Sequence, residues 1–288
     1  MHQAVEEDPQ VVSIRQIEGN ATCADCARKS PEWVSISLGT TICSECSGAH
    51  RSLGVQISKV KSLALDQLEP STLELLTLTG NAFTNSLWEA AGVPAGEKPG
   101  ASGTREARAE YAAKKYKARA FVRSDLKAEM SENKDLLAQA AAAGDVRAMA
   151  RCLVGGASVN DAVAPCHATD GKTVLMAAIE SGSLPTIELC LNNSPDLEAT
   201  NAAGQTALHV AVQVHTLHIR LRLARVPSCP SCLLAYLTPP FQSCSHMPMH
   251  GRCKMRLPWV CSSNVAPGRA SAQRTALVPH QGPWWKLY

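Results

Sequence analysis

The apolar positions of this chain change period along its length. Val55, Ile57, Leu63 and Leu65 alternate with polar neighbours, the period-two signature of a half-buried strand, and predict a strand or two. From Pro70, a residue suited to the first helical position, Leu73, Leu76, Phe83 and Leu87 follow a three-four spacing through Gly80. They predict one amphipathic helix. A Gly- and Pro-containing loop at 92–103 precedes helical composition at 105–127, which carries Tyr111, Tyr116 and Phe121. A first domain is expected to close near residue 130.

Beyond that point the pattern repeats. Gly171-Lys-Thr-Val-Leu-Met-Ala-Ala178 and Gly204-Gln-Thr-Ala-Leu-His-Val-Ala211 align at a separation of 33 residues, and this period with a Gly-x-Thr-x-Leu-x-x-Ala core resembles ankyrin repeats. An earlier unit at 136–160 has the Ala143-Gly-Asp145 turn but lacks the Thr-x-Leu opening, as a capping repeat does. The third unit loses the pattern after Val214. The expected organisation is an N-terminal extension at 1–11, a first domain at 12–130, two repeats plus a truncated third at 133–213, and a basic, Pro- and Cys-rich tail at 214–288, expected to be disordered. An unfinished repeat would expose its apolar stacking face.

Composition narrows the class. Aromatic residues make up only 4% of the 288 residues, which suits helical domains with aliphatic cores. The expected fold is mainly α with a small β-sheet. The first ten residues are acidic and resemble neither a secretory signal nor a mitochondrial presequence, and no run reaches the ~20 apolar residues that cross a bilayer. The net charge of +3 hides an asymmetry. Residues 214–288 hold nine Lys and Arg and no Asp or Glu, leaving 19 basic against 25 acidic groups, a net of −6, in the first 213. The folded part is therefore not expected to bind nucleic acid.

The candidate chemistry lies near the start. Cys23, Cys26, Cys43 and Cys46 form Cys-x2-Cys-x16-Cys-x2-Cys, two thiolate knuckles of the kind that close a tetrahedral structural zinc site. One structural Zn²⁺ is expected, with thiols kept reduced in the cytosol. His50 is read as structural, because four thiolates complete the shell. Arg51 follows the last cysteine by five residues, with Ser47 a candidate N-cap and Gly54 a candidate stop for a short helix between them. GATA-type DNA-binding fingers share a similar spacer, but they require a densely basic region. After Cys46 only Arg51, Lys59 and Lys61 occur before the acidic Asp66 and Glu69.

Taken together, Cys23-x2-Cys26, Pro31-Glu-Trp33, Cys43-x2-Cys46-Ser-Gly-Ala-His-Arg51-Ser-Leu-Gly-Val55 and Ser62-Leu-Ala-Leu-Asp66 resemble the Arf GAP domain over about residues 12–122. Followed by ankyrin repeats, they resemble its multidomain branch, in which BAR and pleckstrin-homology domains precede this pair; neither is expected ahead of it in this sequence. The resemblance implies a GTPase activator acting in trans on GTP-bound Arf-family small GTPases, not a self-contained enzyme, with roles in membrane traffic or actin regulation. Arg51 would be its catalytic arginine finger, and GTP and Mg²⁺ would reside on the Arf partner.

The same resemblance places Trp33 near the active surface, where it would support the arginine or the GTPase interface; a purely core role is the other reading. Asp66 is either an Arf contact or a helix cap, and Arg51 itself has a plain reading as a solvated or ion-paired helix residue. The repeats imply a protein ligand, and the location would be cytoplasmic and peripheral to membranes, reached only indirectly. Ser37, Ala49 and Gln56 stand where the family usually has Asn, Ile and His, which bears on substrate preference. A non-catalytic Arf- or adaptor-binding module is the alternative function. Lys114, Lys115, Lys117 and Arg119 are read as a solvated helix face, and Cys229, Cys232, Cys244 and Cys253 as weak mimics of a second zinc site.

Overall fold

The computed structural model describes residues 8–161 and 171–214; the tail and its four cysteines lie outside these residues. Helix α1 (Pro9–Gln16) is capped by Asp8, whose carboxylate accepts from the Gln10 N–H. It leads into a three-stranded antiparallel sheet of order β2-β1-β3, made of β1 (Trp33–Ser35), β2 (Thr40–Ile42) and β3 (Val60–Ser62). Trp33 stands opposite Ile42 on one side and Ser62 on the other. Helix α2 (Ser44–Ser52) is inserted between β2 and β3. A small core of Val11, Ile14, Val34, Ile36, Leu63, Leu68 and Leu76 joins α1 and the sheet to the next helix.

The expected strand over 55–65 contracts to Val60–Ser62. Residues 55–57 form a turn bonded back to Gly54, and Val55 and Leu65 are exposed. Their alternation reports turn geometry, not a sheet face.

The single amphipathic helix expected through Leu73 and Leu87 is two helices, α3 (Pro70–Leu78) and α4 (Gly80–Trp88), broken at Thr79. Gly80 has φ +75°, and a Cβ there would sit 2.7 Å from Ile17 Cγ2. Close approach to the segment after α1 therefore requires glycine, and the left-handed backbone turns the chain.

The helical composition at 105–127 is likewise divided. Helix α5 (Arg105–Ala112) runs into a π-helical turn (Ala113–Lys117), and α6 (Ser124–Glu132) follows after a break.

The repeats pair helices as the 33-residue period requires: α7 (Leu136–Ala142) with α8 (Val146–Gly155), α9 (Val174–Ser181) with α10 (Leu184–Asn192), then α11 (Ala207–Gln213). The repeated threonines are N-caps. Thr173 Oγ1 accepts from the Met176 N–H, while Thr206 and His209 cap each other at the start of α11. Leu175, in the first turn, and Ala178 and Ala211, in the second, are buried, so the Thr-x-Leu-x-x-Ala core encodes one cap and one packing face.

One apolar core runs continuously from Ala49, Leu75, Trp88 and Tyr116 through α6 to Ala211. Where α10 meets α3, buried Glu188 accepts from the Ser71 and Thr72 hydroxyls at 3.1 and 2.8 Å. Among the described residues no helix is long and apolar enough to cross a membrane.

Candidate functional site

Two local structures bring the four thiols together. Cys23 and Cys26 occupy a tight turn in which the Cys23 N–H donates to Arg28 O and the Ala27 N–H to Cys23 O. Cys43 is the N-cap residue of α2, and Cys46 lies in its first turn. All four are buried, and their sulfurs lie within 4.8 Å of one another. Thiolates at about 2.3 Å from a tetrahedral Zn²⁺ stand about 3.8 Å apart, and Cys26 Sγ and Cys43 Sγ are separated by 3.6 Å. The donor set and its packing fit one zinc ion. Buried Arg108 completes the surroundings, donating from Nη1 to Cys46 Sγ at 3.1 Å and from its other nitrogens to the carbonyls of Gly100, Ala101 and Gly103. A guanidinium here offsets part of the negative charge that four thiolates bring to a divalent ion.

Ser47 is not the N-cap of α2. Cys43 takes that place, and the Ser47 hydroxyl instead donates to Ser44 O at 2.7 Å inside the helix. The helix ends at Ser52, and Gly54 follows with φ +89°, the left-handed geometry expected of a helix stop.

Arg51 lies in the last turn of α2, exposed, with its guanidinium carbon 4.5 Å from the centroid of the Trp33 ring. Among the described residues no carboxylate pairs with it. Trp33 is half-buried on β1 and packs against the cluster formed by the cysteines and Ile42. The arginine thus lies against an aromatic ring that also packs on the cysteine cluster. Asp66 caps no helix. Its Oδ2 accepts from the Ser62 N–H at 2.7 Å, and its own N–H donates to Ser62 O, closing the turn after β3; its side chain is exposed.

Beneath this surface is a buried ionic network. Asp25, between the first two cysteines, faces His50 Nε2 at 2.8 Å and accepts from Tyr116 OH at 2.8 Å and Lys115 Nζ at 3.2 Å. Lys115, fully buried, also donates to Asn85 Oδ1 and Glu89 Oε1, each at 2.7 Å. His50 Nδ1 contacts Ser58 Oγ, which in turn donates to Ser35 Oγ. Burial alone would raise the Asp25 pKa, but Lys115 and His50 together hold it well below the usual carboxylate range. Glu89 is held low in the same way, Lys115 outweighing desolvation.

The solvated lysine face expected from sequence is therefore only partly so. Lys114 and Lys117 reach outward, whereas Lys115 points into the core. The π-helical turn rotates it inward.

Comparison with known proteins bears on this geometry. Residues 8–125 match the ArfGap family model, described as "Putative GTPase activating protein for Arf". Over residues 8–125 the chain is thus similar to the Arf GAP family. The segment at 136–224 matches the model for ankyrin repeats in three copies.

Among curated relatives, the human Arf-GAP with coiled-coil, ANK repeat and PH domain-containing protein 2 is 38% identical over 59% of this chain and 23% of its own length. Human protein 3 of the same description is 44% identical over 38% of this chain and 13% of its own length. The ADP-ribosylation factor GTPase-activating protein AGD1 of Arabidopsis thaliana is 48% identical over 31% of this chain and 11% of its own. The chain spans under a quarter of the length of these relatives.

Within this domain the sequence pattern does not single out Asp25 or Arg108, and it places Lys115 on a solvated face although the side chain is fully buried. The signal for Asp25 was a carboxylate inside a cysteine knuckle, a position where an unpaired negative charge would be costly.

Proposed function

We propose that this chain accelerates GTP hydrolysis on an Arf-family small GTPase by presenting Arg51 to the partner's nucleotide. The observation that carries the reading is an exposed guanidinium with no carboxylate partner among the described residues, seated on Trp33 at the end of a helix whose N-cap and first turn hold two of the four clustered cysteines. In the partner's site, attack of water on the γ-phosphorus breaks its bond to the β–γ bridging oxygen, leaving GDP and phosphate. Negative charge builds on the bridging and non-bridging oxygens as this bond loosens. A forked donor that arrives without its own counter-ion stabilises that charge in the transition state more than in the ground state.

Mounting decides whether such a donor is effective. Cys23, Cys26, Cys43 and Cys46 would hold one zinc ion, which when bound cross-links the first knuckle to α2 and supplies rigidity. The cage, Trp33 and the Asp25–His50–Ser58 chain together fix the angle at which α2 leaves the sheet, and hence where Arg51 points. Asp66 and the exposed neighbouring Leu65 flank the same strand pair and are assigned to the Arf contact. The chain acts in trans; GTP and Mg²⁺ belong to the GTPase, and its own sequence has no Gly-x4-Gly-Lys-Ser/Thr phosphate loop. The repeats are assigned a protein ligand. The working location is the cytoplasmic face of a membrane, reached through Arf.

Binding separates this reading from a non-catalytic Arf module. Arg51→Lys keeps the charge and loses the fork. It should bind GTP-loaded Arf, measured by surface plasmon resonance, within about threefold of the parent while losing the acceleration. Equal acceleration by both proteins would refute the role given to Arg51, and binding without acceleration by either would favour the interaction module.

A further inference from the structure

A cavity of about 250 Å³ lies at the seam between the Arf GAP domain and the first two repeats. Its apolar wall comes from both sides: Leu38, Ile57, Leu75 and Trp88 from the GAP domain, Val154 and Leu189 from the repeats. Among the described residues Lys117 and Arg119 are its charged lining side chains, and no carboxylate borders it.

Arg119 is unusual in three respects. Its Nε is buried without a hydrogen-bond partner among the described residues. Among the described residues its Nη2 reaches only Leu153 O, at 3.5 Å, the outer limit of a hydrogen bond. Its backbone has φ +51°, in the left-handed region, just after the π-helical turn. Burial with no compensating acid lowers its pKa. A partly buried guanidinium left short of acceptors is costly unless something supplies them. Nothing in the Arg51 chemistry requires it.

We propose that this cavity binds a small amphiphilic anion, an alkyl or acyl body bearing one carboxylate or phosphate head, with the body against the Leu75–Trp88–Leu189 wall and the head on Arg119 and Lys117. The volume lies just below the about 300–1,000 Å³ typical of drug-sized ligands, so the body is short. Because the walls belong to both domains, an occupant ties the repeats to the GAP domain and stabilises the folded chain by mass action. The site is independent of the activity assigned to Arg51.

The test is isothermal titration of the purified full chain with decanoate and with decyl phosphate, using decanol and inorganic phosphate as controls. Saturable one-to-one binding of at least one amphiphile is expected, with neither control binding comparably; which amphiphile binds identifies the head group. Arg119→Gly suits the left-handed backbone and should stay folded, and should weaken binding by about tenfold or more through loss of the charged donor. Lys117→Gln, at an exposed position, should weaken it in the same direction, and Ala157→Leu, which narrows the cavity, should abolish it. The proposal is overturned if neither amphiphile saturates by about 1 mM, if decanol binds as well as its charged counterparts, or if Arg119→Gly and Lys117→Gln both bind like the parent.

Discussion

The guanidinium carbon of Arg51 stands 4.5 Å from the centre of the Trp33 ring, joining the last turn of α2 to the middle strand of the sheet. Such a contact at an exposed site is worth about 0.5–1 kcal/mol, and its use here is to restrict where the arginine points before a partner arrives. Trp33→Phe keeps a ring and should cost about two- to fivefold in single-turnover GAP rate, the kinetic equivalent of that energy. Trp33→Ala should cost more, because the packing on the cysteine cluster is lost as well; zinc content measured alongside the rate separates the two contributions.

Arg108 is expected to govern how firmly the metal is held. Partners outside the ligand set typically alter metal affinity about 10–100-fold, and the Arg108 guanidinium donates directly to Cys46 Sγ. Arg108→Met should speed zinc release to a chromogenic chelator by a factor in that range, while Arg108→Lys, with the charge but not the fork, should fall between. Zinc removal from the parent should unfold the Arf GAP domain cooperatively, followed by circular dichroism.

Lys115 is the keystone of the buried network. Its loss as Lys115→Met would leave Asp25 and Glu89 without their shared cation, a situation that typically costs about 3–5 kcal/mol. Urea unfolding at neutral pH should show it, and Asp25→Asn in the same chain should recover part of the loss. The pH dependence follows from the lowered pKa values of both carboxylates. Their contribution is complete above the unfolded-state values near ~4 and is lost as pH falls from there toward the folded-state values. The stability gap between the parent and Lys115→Met should therefore narrow below about pH 4, read at matched zinc content.

Glu188 holds the repeats to α3. It is buried and accepts from Ser71, Thr72 and Asn192, and a net intramolecular hydrogen bond typically contributes about 0.5–1.5 kcal/mol. Glu188→Leu should expose the α3–α10 seam to limited proteolysis and lower the denaturation midpoint. Ser71→Ala should have a smaller effect in the same direction.

What the sequence disclosed was local or covalently counted. The cysteine knuckles are legible because four thiols that would share one tetrahedral ion need that spacing, and the repeat threonines because an N-cap is settled within three residues. Lys115 was misread because its partners Asp25 and Glu89 lie 90 and 26 residues away, and a π-helical turn changes which face it occupies. The break at Thr79–Gly80 was missed for a similar reason: Gly80 is required by contact with Ile17, a tertiary neighbour that helical periodicity cannot reveal. Ser47 and Asp66 are residue types that favour caps, but Cys43 already occupies one cap position and a turn to Ser62 engages the other residue.

The most direct test of the central claim is single-turnover hydrolysis of GTP preloaded on purified Arf proteins, with the zinc-loaded chain and its Arg51→Lys variant compared at equal metal content. The chain should accelerate hydrolysis by about 10³–10⁵-fold, as arginine fingers do, and Arg51→Lys should remove nearly all of it. An unaltered rate in the variant, or no acceleration by the parent on any Arf, would contradict the account.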